Sequence, residues 1–170
     1  MQSSVTAVKA FSRALPKIMA RSISLILTLL KLISTAKVEN TKRLGAQVEL
    51  VPGAYDEAHD RAVQLQEKTG MTFIHPYDDE LVIAGQGSIG LEILDQLPDV
   101  EAVIVPIGGG GLISGVAFAI KSLRPEVKVY GVQAAGAASM FKAFHDHKYE
   151  TLDHVSTFAD GIAVKTPGEN

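Results

Sequence analysis

The sequence predicts an α/β fold, an open and mostly parallel twisted sheet with helices on both faces. Three observations predict it. Val103-Ile104-Val105 is an unbroken β-branched run of strand length, as expected of a strand buried on both faces. Four consecutive glycines, Gly108 to Gly111, follow that run, and an apolar helix-like stretch from Leu112 to Leu123 follows them. Along the rest of the chain, strand-length apolar runs alternate with helical periodicity over short connections, the pattern of a parallel sheet.

Lys37 to Leu44 reads as a short helix stopped by Gly45 in the C′ position. Gln47 to Val51 reads as a strand, and Pro52-Gly53 turns the chain. Tyr55 to Lys68 carries an apolar stripe of Ala58, Ala62, Val63 and Leu65, and Gly70 ends that helix. Met71 to Ile74 reads as a short strand. His75-Pro76-Tyr77-Asp78-Asp79 is a loop whose aspartates are placed to cap the helix from Leu81 to Leu97. Beyond the glycine loop, Val127 to Val132 gives a strand and Ala137 to His147 a helix. The strands near 48–51, 72–74, 102–105 and 128–132 are expected to be parallel and buried.

With 170 residues, 46% apolar and 21% charged, the chain can bury a core and is not of disordered composition. It has no cysteine, which excludes disulfides, thiolate metal sites and cysteine nucleophiles and suits a reducing compartment, hence a cytoplasmic location. A net charge of −3 gives no reason to expect nucleic acid, and no apolar stretch reaches the ~20 residues of a membrane span. The charge is unevenly spread. Residues 1–36 hold Lys9, Arg13, Lys17, Arg21 and Lys31 and no acid, so the remainder carries −8.

Four glycines are a costly way to make an ordinary turn, because each raises the entropy lost on ordering. A loop without Cβ atoms, however, can turn its N–H groups into one concavity at a helix N-terminus, which suits a phosphate. The plainer alternative is a turn that binds nothing. No Gly-Lys-Ser/Thr follows, so a nucleotide P-loop is absent and a cofactor with a single phosphate fits better.

Gly85-Gln86-Gly87-Ser88-Ile89-Gly90 matches the dinucleotide fingerprint in spelling only. The next strand ends at Val105-Pro106-Ile107 without the acid that would hold a ribose, so a helix kink or close helix packing is the better reading. His145-Asp146-His147 lies among charged residues and reads as surface. Glu39, Glu49, Asp56, Glu57 and Asp60 read as solvated faces. No zincin pair or serine-hydrolase elbow is present.

Several segments taken together carry a resemblance. They are Ile74-His75-Pro76-Tyr77-Asp78-Asp79, Ala84-Gly85-Gln86-Gly87-Ser88-Ile89-Gly90-Leu91-Glu92, and Val105-Pro106-Ile107-Gly108 through Leu112. Lys37-Val38-Glu39-Asn40-Thr41-Lys42-Arg43-Leu44-Gly45-Ala46 before them and Ala159-Asp160-Gly161-Ile162-Ala163-Val164-Lys165 after them also fit. In this order they resemble threonine ammonia-lyase, in the threonine dehydratase and serine racemase branch of the fold-type II pyridoxal-phosphate enzymes. The resemblance implies pyridoxal phosphate as cofactor, with Gly108, Gly109, Gly110, Gly111 and Leu112 forming its phosphate cup. It implies that Tyr77 lines the cofactor and that Asp160-Gly161 lies near the ring. It also implies threonine or serine as substrate, a 2-oxo acid and ammonia as products, a place in isoleucine biosynthesis, and a homo-oligomer for the intact enzyme. Residues 37–74 correspond to part of the small domain and 75–170 to part of the large cofactor-binding domain.

The departures are as specific. The family's Schiff-base lysine belongs to a Ser-Phe/Tyr-Lys-x-Arg-Gly motif that this chain lacks, so no residue is assigned a catalytic role. The Ser-x-Gly-Asn-His substrate loop is also missing, and the serine that meets the pyridine nitrogen would lie beyond residue 170. Some relatives hold a divalent cation through an acid and an aspartate after the strand that follows the glycine loop. Gln133 and Ser139 stand at those positions, so no metal site is expected. The chain is thus expected to be an inactive fragment of the lyase; the alternative is a non-catalytic phosphate-ligand binding module using the same loop.

Residues 1–36 resemble a transit or signal peptide in their basic, acid-free start. A frame-shifted reading of the same gene explains more. Read one nucleotide earlier, codons permitted for Lys17 to Ser22 allow Asn-Tyr-Gly-Ala-Lys, those for Leu30-Lys31-Leu32 allow Pro-Glu-Thr, and those for Lys9-Ala10-Phe11 allow Gln-Gly-Val. All three resemble family segments in this order. On that reading the segment is expected to pack poorly.

Overall fold

The computed structural model describes residues 26–30, 35–52 and 55–170. Two compact units divide between Phe73 and Ile74. The first holds β1 (Ile26–Leu30), α1 (Thr35–Arg43), β2 (Gln47–Val51) and α2 (Tyr55–Thr69). β1 and β2 pair in parallel from Ile26 opposite Gln47 to Leu30 opposite Val51. Five residues of the basic segment are therefore paired along their whole length. The rest of the frame-shift and targeting readings falls on residues 1–25 and 31–34, outside the described residues.

Gly45 (φ 90°) and Gly70 (φ 72°) follow α1 and α2 in the left-handed conformation that ends a helix without a Cβ clash. Val38 and Ala58 are buried in this unit. Glu49, read from the sequence as solvated, is half-buried and accepts a 2.6 Å hydrogen bond from Arg61 Nε. Met71 to Ile74 is not a strand: among the described residues no strand pairs with it, and Ile74 is exposed. A four-residue apolar run following a helix-ending glycine carries no signal that separates strand from extended loop.

The second unit is built on α3 (Glu80–Gln96), β3 (Ala102–Pro106), α4 (Gly111–Leu123), β4 (Lys128–Val132) and α5 (Ser139–Asp146). β3 and β4 are parallel, with Ala102 opposite Lys128 and Pro106 opposite Val132. Asp79 caps α3, its Oδ1 accepting from Leu81 N (2.8 Å) and Val82 N (3.1 Å). The core is Val105, Val116, Ile120 and Val127, enclosed by Leu94, Val100, Val103, Leu112, Ile113 and Val129.

The parallel α/β class holds, but β3 is not buried on both faces. Val105 is 4% exposed, whereas Ile104 is 70% exposed, and Tyr130 and Val132 share its open face. The uninterrupted Val-Ile-Val run reports a strand suited to two-sided burial; among the described residues only the α4 side is covered. No helix among them is long and apolar enough to cross a membrane.

The fingerprint-like glycines lie inside α3, with no strand before them. Gly87 and Gly90 are buried against Gly115, Val116, Ala119 and Ile120 of α4. The tightest point is Gly115. A Cβ there would lie 2.1 Å from Ile83 O and 2.7 Å from Gly87 N, both backbone atoms that no side-chain rotation can move away. A Cβ on Gly85 meets nothing within 4 Å. Gly115→Ala is therefore expected to force the helices apart and cost about 1–3 kcal/mol or more. Gly85→Ala should add about 0.5–1 kcal/mol through helix propensity alone. Urea unfolding of the two variants checks this; equal effects would place the close contact elsewhere.

Candidate functional site at the glycine loop

β3 ends at Pro106, and Ile107 N still donates to Val132 O at 2.8 Å, so strand pairing delivers the chain directly into the glycine loop. Gly110 then takes φ 106°, ψ −23°, a left-handed conformation that disfavours any side chain. It is the N-cap of α4 and provides no side-chain cap. The helical ladder opens with Ser114 N donating to Gly110 O at 3.0 Å. The N–H groups of the turn ahead of it, Gly111, Leu112 and Ile113, therefore have no intrahelical partner. Together with the positive end of the helix dipole they form an anion-receptive terminus.

The space that side chains would fill at the loop is already taken. A Cβ on Gly109 would sit 2.3 Å from the Tyr77 ring, and one on Gly111 would sit 2.5 Å from Tyr77 O. At Gly110 it would meet Met140 Cε at 2.6 Å, and at Gly108 it would meet Val164 and Ile162 at 3.2–3.3 Å. Tyr77 thus stands against the loop, and Gly108, Gly109, Gly110, Gly111 and Leu112 are brought together with it. The 3-10 turn Asp160–Ile162 reaches the loop through Ile162.

Tyr77 is held from both ends. Its hydroxyl donates to Thr166 O at 3.1 Å. The preceding turn wraps around His75, whose Nδ1 accepts from Asp78 N at 2.8 Å and from Tyr77 N at 3.4 Å. An accepting Nδ1 places the imidazole proton on Nε2. The rings of His75 and Tyr77 meet edge to face at 4.6 Å.

Asp78 does not cap α3 as its neighbour does. Its Oδ1 accepts from Glu169 N (3.1 Å), Asn170 N (3.0 Å) and Asn170 Nδ2 (2.9 Å), while Gly168 N donates to Gly109 O at 2.8 Å. Residues 168–170 are thereby tied across the loop. Met140, Gln133, Ser139 and Asp78 were not legible as site residues. Each reaches the loop through contacts between segments far apart in the chain, which no local pattern reports.

Burial raises the Asp78 carboxyl. The backbone bonds from Asn170 and Glu169 and the Asn170 side chain together outweigh it and hold the group below the ordinary 3.8. A depressed carboxylate stabilises its tether above the ordinary value and loses that contribution as pH falls through the lowered one. The response of the Glu169 and Asn170 amide shifts to Asp78 should therefore come below the ordinary carboxylate value and not at it. In Asp78→Ala they should sit at untethered values at every pH.

With this geometry in view, comparison with known proteins is specific. The family described as pyridoxal-phosphate dependent enzyme matches residues 19–170. The L-threonine ammonia-lyase of Thermotoga maritima is 55% identical over 134 residues, 79% of this chain and 33% of that protein. The L-threonine ammonia-lyase of Geobacter sulfurreducens is 51% identical over the same coverage. Among solved structures, the processed form of threonine deaminase isoform 2 from Solanum lycopersicum superposes with a TM-score of 0.79. It is 43% identical, over 86% of this chain and 43% of that one. Maize serine racemase superposes with a TM-score of 0.82 at 33% identity, over 89% of this chain and 46% of that one. The chain spans about a third of the length of the curated relatives it matches. It belongs to the pyridoxal-phosphate-dependent enzyme family.

Proposed function

We propose that Gly108 to Gly111 and Leu112 cradle the phosphate of pyridoxal phosphate, and that the chain is the cofactor-holding part of a threonine or serine ammonia-lyase. The observation that carries the reading is Gly110. A left-handed, uncapped N-cap leaves the first amides of α4 free for an anion, and neighbouring side chains occupy the Cβ space of the loop. When bound, the cofactor's pyridine ring accepts the electrons released at the substrate α-carbon. The chain's own part is positional. The loop amides fix the phosphate, Met140 and Tyr77 limit where it sits, and Thr166 O holds the Tyr77 hydroxyl.

The chain lacks the lysine motif of its relatives, so we propose that it binds without turning over. With neither lysine nor pyridine-nitrogen contacts, only the phosphate anchor remains and binding is weak. The same missing motif favours a second reading, a non-catalytic phosphate-ligand module. A coding region directly upstream that carries Ser-Phe/Tyr-Lys-x-Arg-Gly supports the lyase reading, and its absence supports the module.

Titration of inorganic phosphate and pyridoxal phosphate into the parent chain and Gly110→Asp tests the cup. Forcing a side chain into the left-handed position against Met140, with a negative charge at the anion site, should weaken both ligands more than tenfold. Equal binding by parent and variant would show that the cup is not the site. With threonine and added cofactor, the 170-residue chain should form no 2-oxobutanoate; measurable formation would overturn the proposed inactivity.

A further inference from the structure

The buried polar side chain of the described residues is Ser139, 1% exposed, and it sits in a hydrogen-bonded chain directly behind the glycine loop. Ser139 Oγ donates to Val164 O at 3.2 Å and lies 3.5 Å from Gln133 Nε2. Gln133 Nε2 also donates to Gly108 O at 3.3 Å, and Gln133 Oε1 accepts from Phe141 N at 2.9 Å. Gln133 is the first residue after β4, so strand pairing fixes its side chain beside Gly108. The N-cap of α5 is Ala138, which has no side-chain acceptor. The Gln133 amide oxygen serves its first turn instead.

Three segments meet in this cluster: the glycine loop through Gly108, the α5 N-terminus through Ser139 and Phe141, and the 160–164 segment through Val164. The same α5 turn carries Met140, whose Cε abuts the Gly110 position, and Val164 abuts Gly108. The polarity of the cluster calls for a side chain at residue 133 that both accepts and donates. The Phe141 N–H demands an acceptor and the Gly108 carbonyl demands a donor, and a primary amide presents both. A carboxylate of the same shape would set an anion against a carbonyl oxygen.

We infer that Gln133 and Ser139 are positioning residues, a charge-neutral clasp that sets the glycine loop in its anion-receiving shape. The inference rests on the proposed reading of that loop as a phosphate cradle. The clasp holds Gly108 by its carbonyl and Gly110 by way of Met140. It does so with neutral groups, so its own integrity is independent of added cations and of pH near neutrality.

The test uses the full chain and the variants Gln133→Met, Ser139→Ala and Gln133→Glu, without and with inorganic phosphate. The amides of Ser114 and Gly168 donate to Gly110 O and Gly109 O, so their hydrogen exchange reads the loop before any ligand is added. Gln133→Met and Ser139→Ala are both uncharged, and each should speed exchange at Ser114 and Gly168 about tenfold or more. Phosphate affinity should fall by a similar factor, while exchange at Ile120 in the core stays unchanged. Gln133→Glu should behave the same way at pH 8 and return toward the parent as the introduced carboxyl is protonated and regains a donor. Exchange and affinity within twofold of the parent in both neutral variants would overturn the inference. So would faster exchange throughout α3 and α4, which would mark a general structural role. If phosphate leaves the parent's loop amides unmoved, the cradle reading fails while the exchange data still judge the clasp.

Discussion

The second unit depends on how closely α3 and α4 approach one another. At Gly115 the helices meet backbone to backbone, with Ile83 O and Gly87 N standing where a Cβ would be. Such an approach leaves α4 little freedom to slide or rotate, because any side chain at the contact would have to displace main chain. Interiors packed at this density transmit position from one element to the next. The N-terminus of α4 is therefore fixed from below by a helix contact and from above by β3, whose pairing with β4 runs into Ile107. The anion-receptive turn lies between two constraints, neither of which it makes for itself.

A loop of four glycines would otherwise be the least ordered part of the chain. Its order comes from what surrounds it. Tyr77 covers Gly109 and Gly111, Met140 meets Gly110, Ile162 and Val164 meet Gly108, and Gly168 donates to Gly109 O. These contacts come from the 75–79 loop, the α5 N-terminus and the 160–168 segment. Each is anchored by polar bonds of its own, to His75 Nδ1, to Gln133 and to the Tyr77 and Ser139 hydroxyls respectively. The glycines permit the conformation, and the neighbouring segments enforce it.

The strand, glycine loop and α4 were legible in the sequence because their signals are local: a β-branched run, a glycine cluster and an apolar helix in immediate succession. For Gly87 and Gly90 the missing acid at the end of the next strand left a helix kink or close packing, and their contacts with α4 decide for packing. Tyr77 was singled out through resemblance alone, since nothing in its own surroundings marks a site; the structure shows its ring against the loop. Met71–Ile74 misled because four apolar residues suit an extended loop as well as a strand. Asp78 was read as a helix-start charge, whereas its partners lie more than ninety residues away. Gln133 and Ser139 entered the sequence reading only as residues standing where some relatives have an acid and an aspartate. Their role as hydrogen-bonding partners depends on segments meeting across twenty-five residues of chain.

The polar architecture around the loop divides by charge. The groups behind it, Gln133 and Ser139, are neutral, and the carboxylate of Asp78 is engaged by three N–H donors from Glu169 and Asn170. That arrangement matters for an anion site, because an unengaged carboxylate near a helix N-terminus competes with the ligand for the same positive potential. With its lone pairs turned to the 169–170 backbone and the Asn170 side chain, Asp78 spends its charge on the segment that covers the loop. The N–H groups at the start of α4 have no side-chain cap from Gly110, and the neutral cluster behind them adds no charge of its own. On the proposed phosphate reading, selection for an anion would come from backbone dipoles held in place, with no cationic side chain required of the loop, and an affinity built this way would be modest until further contacts to the ligand are added.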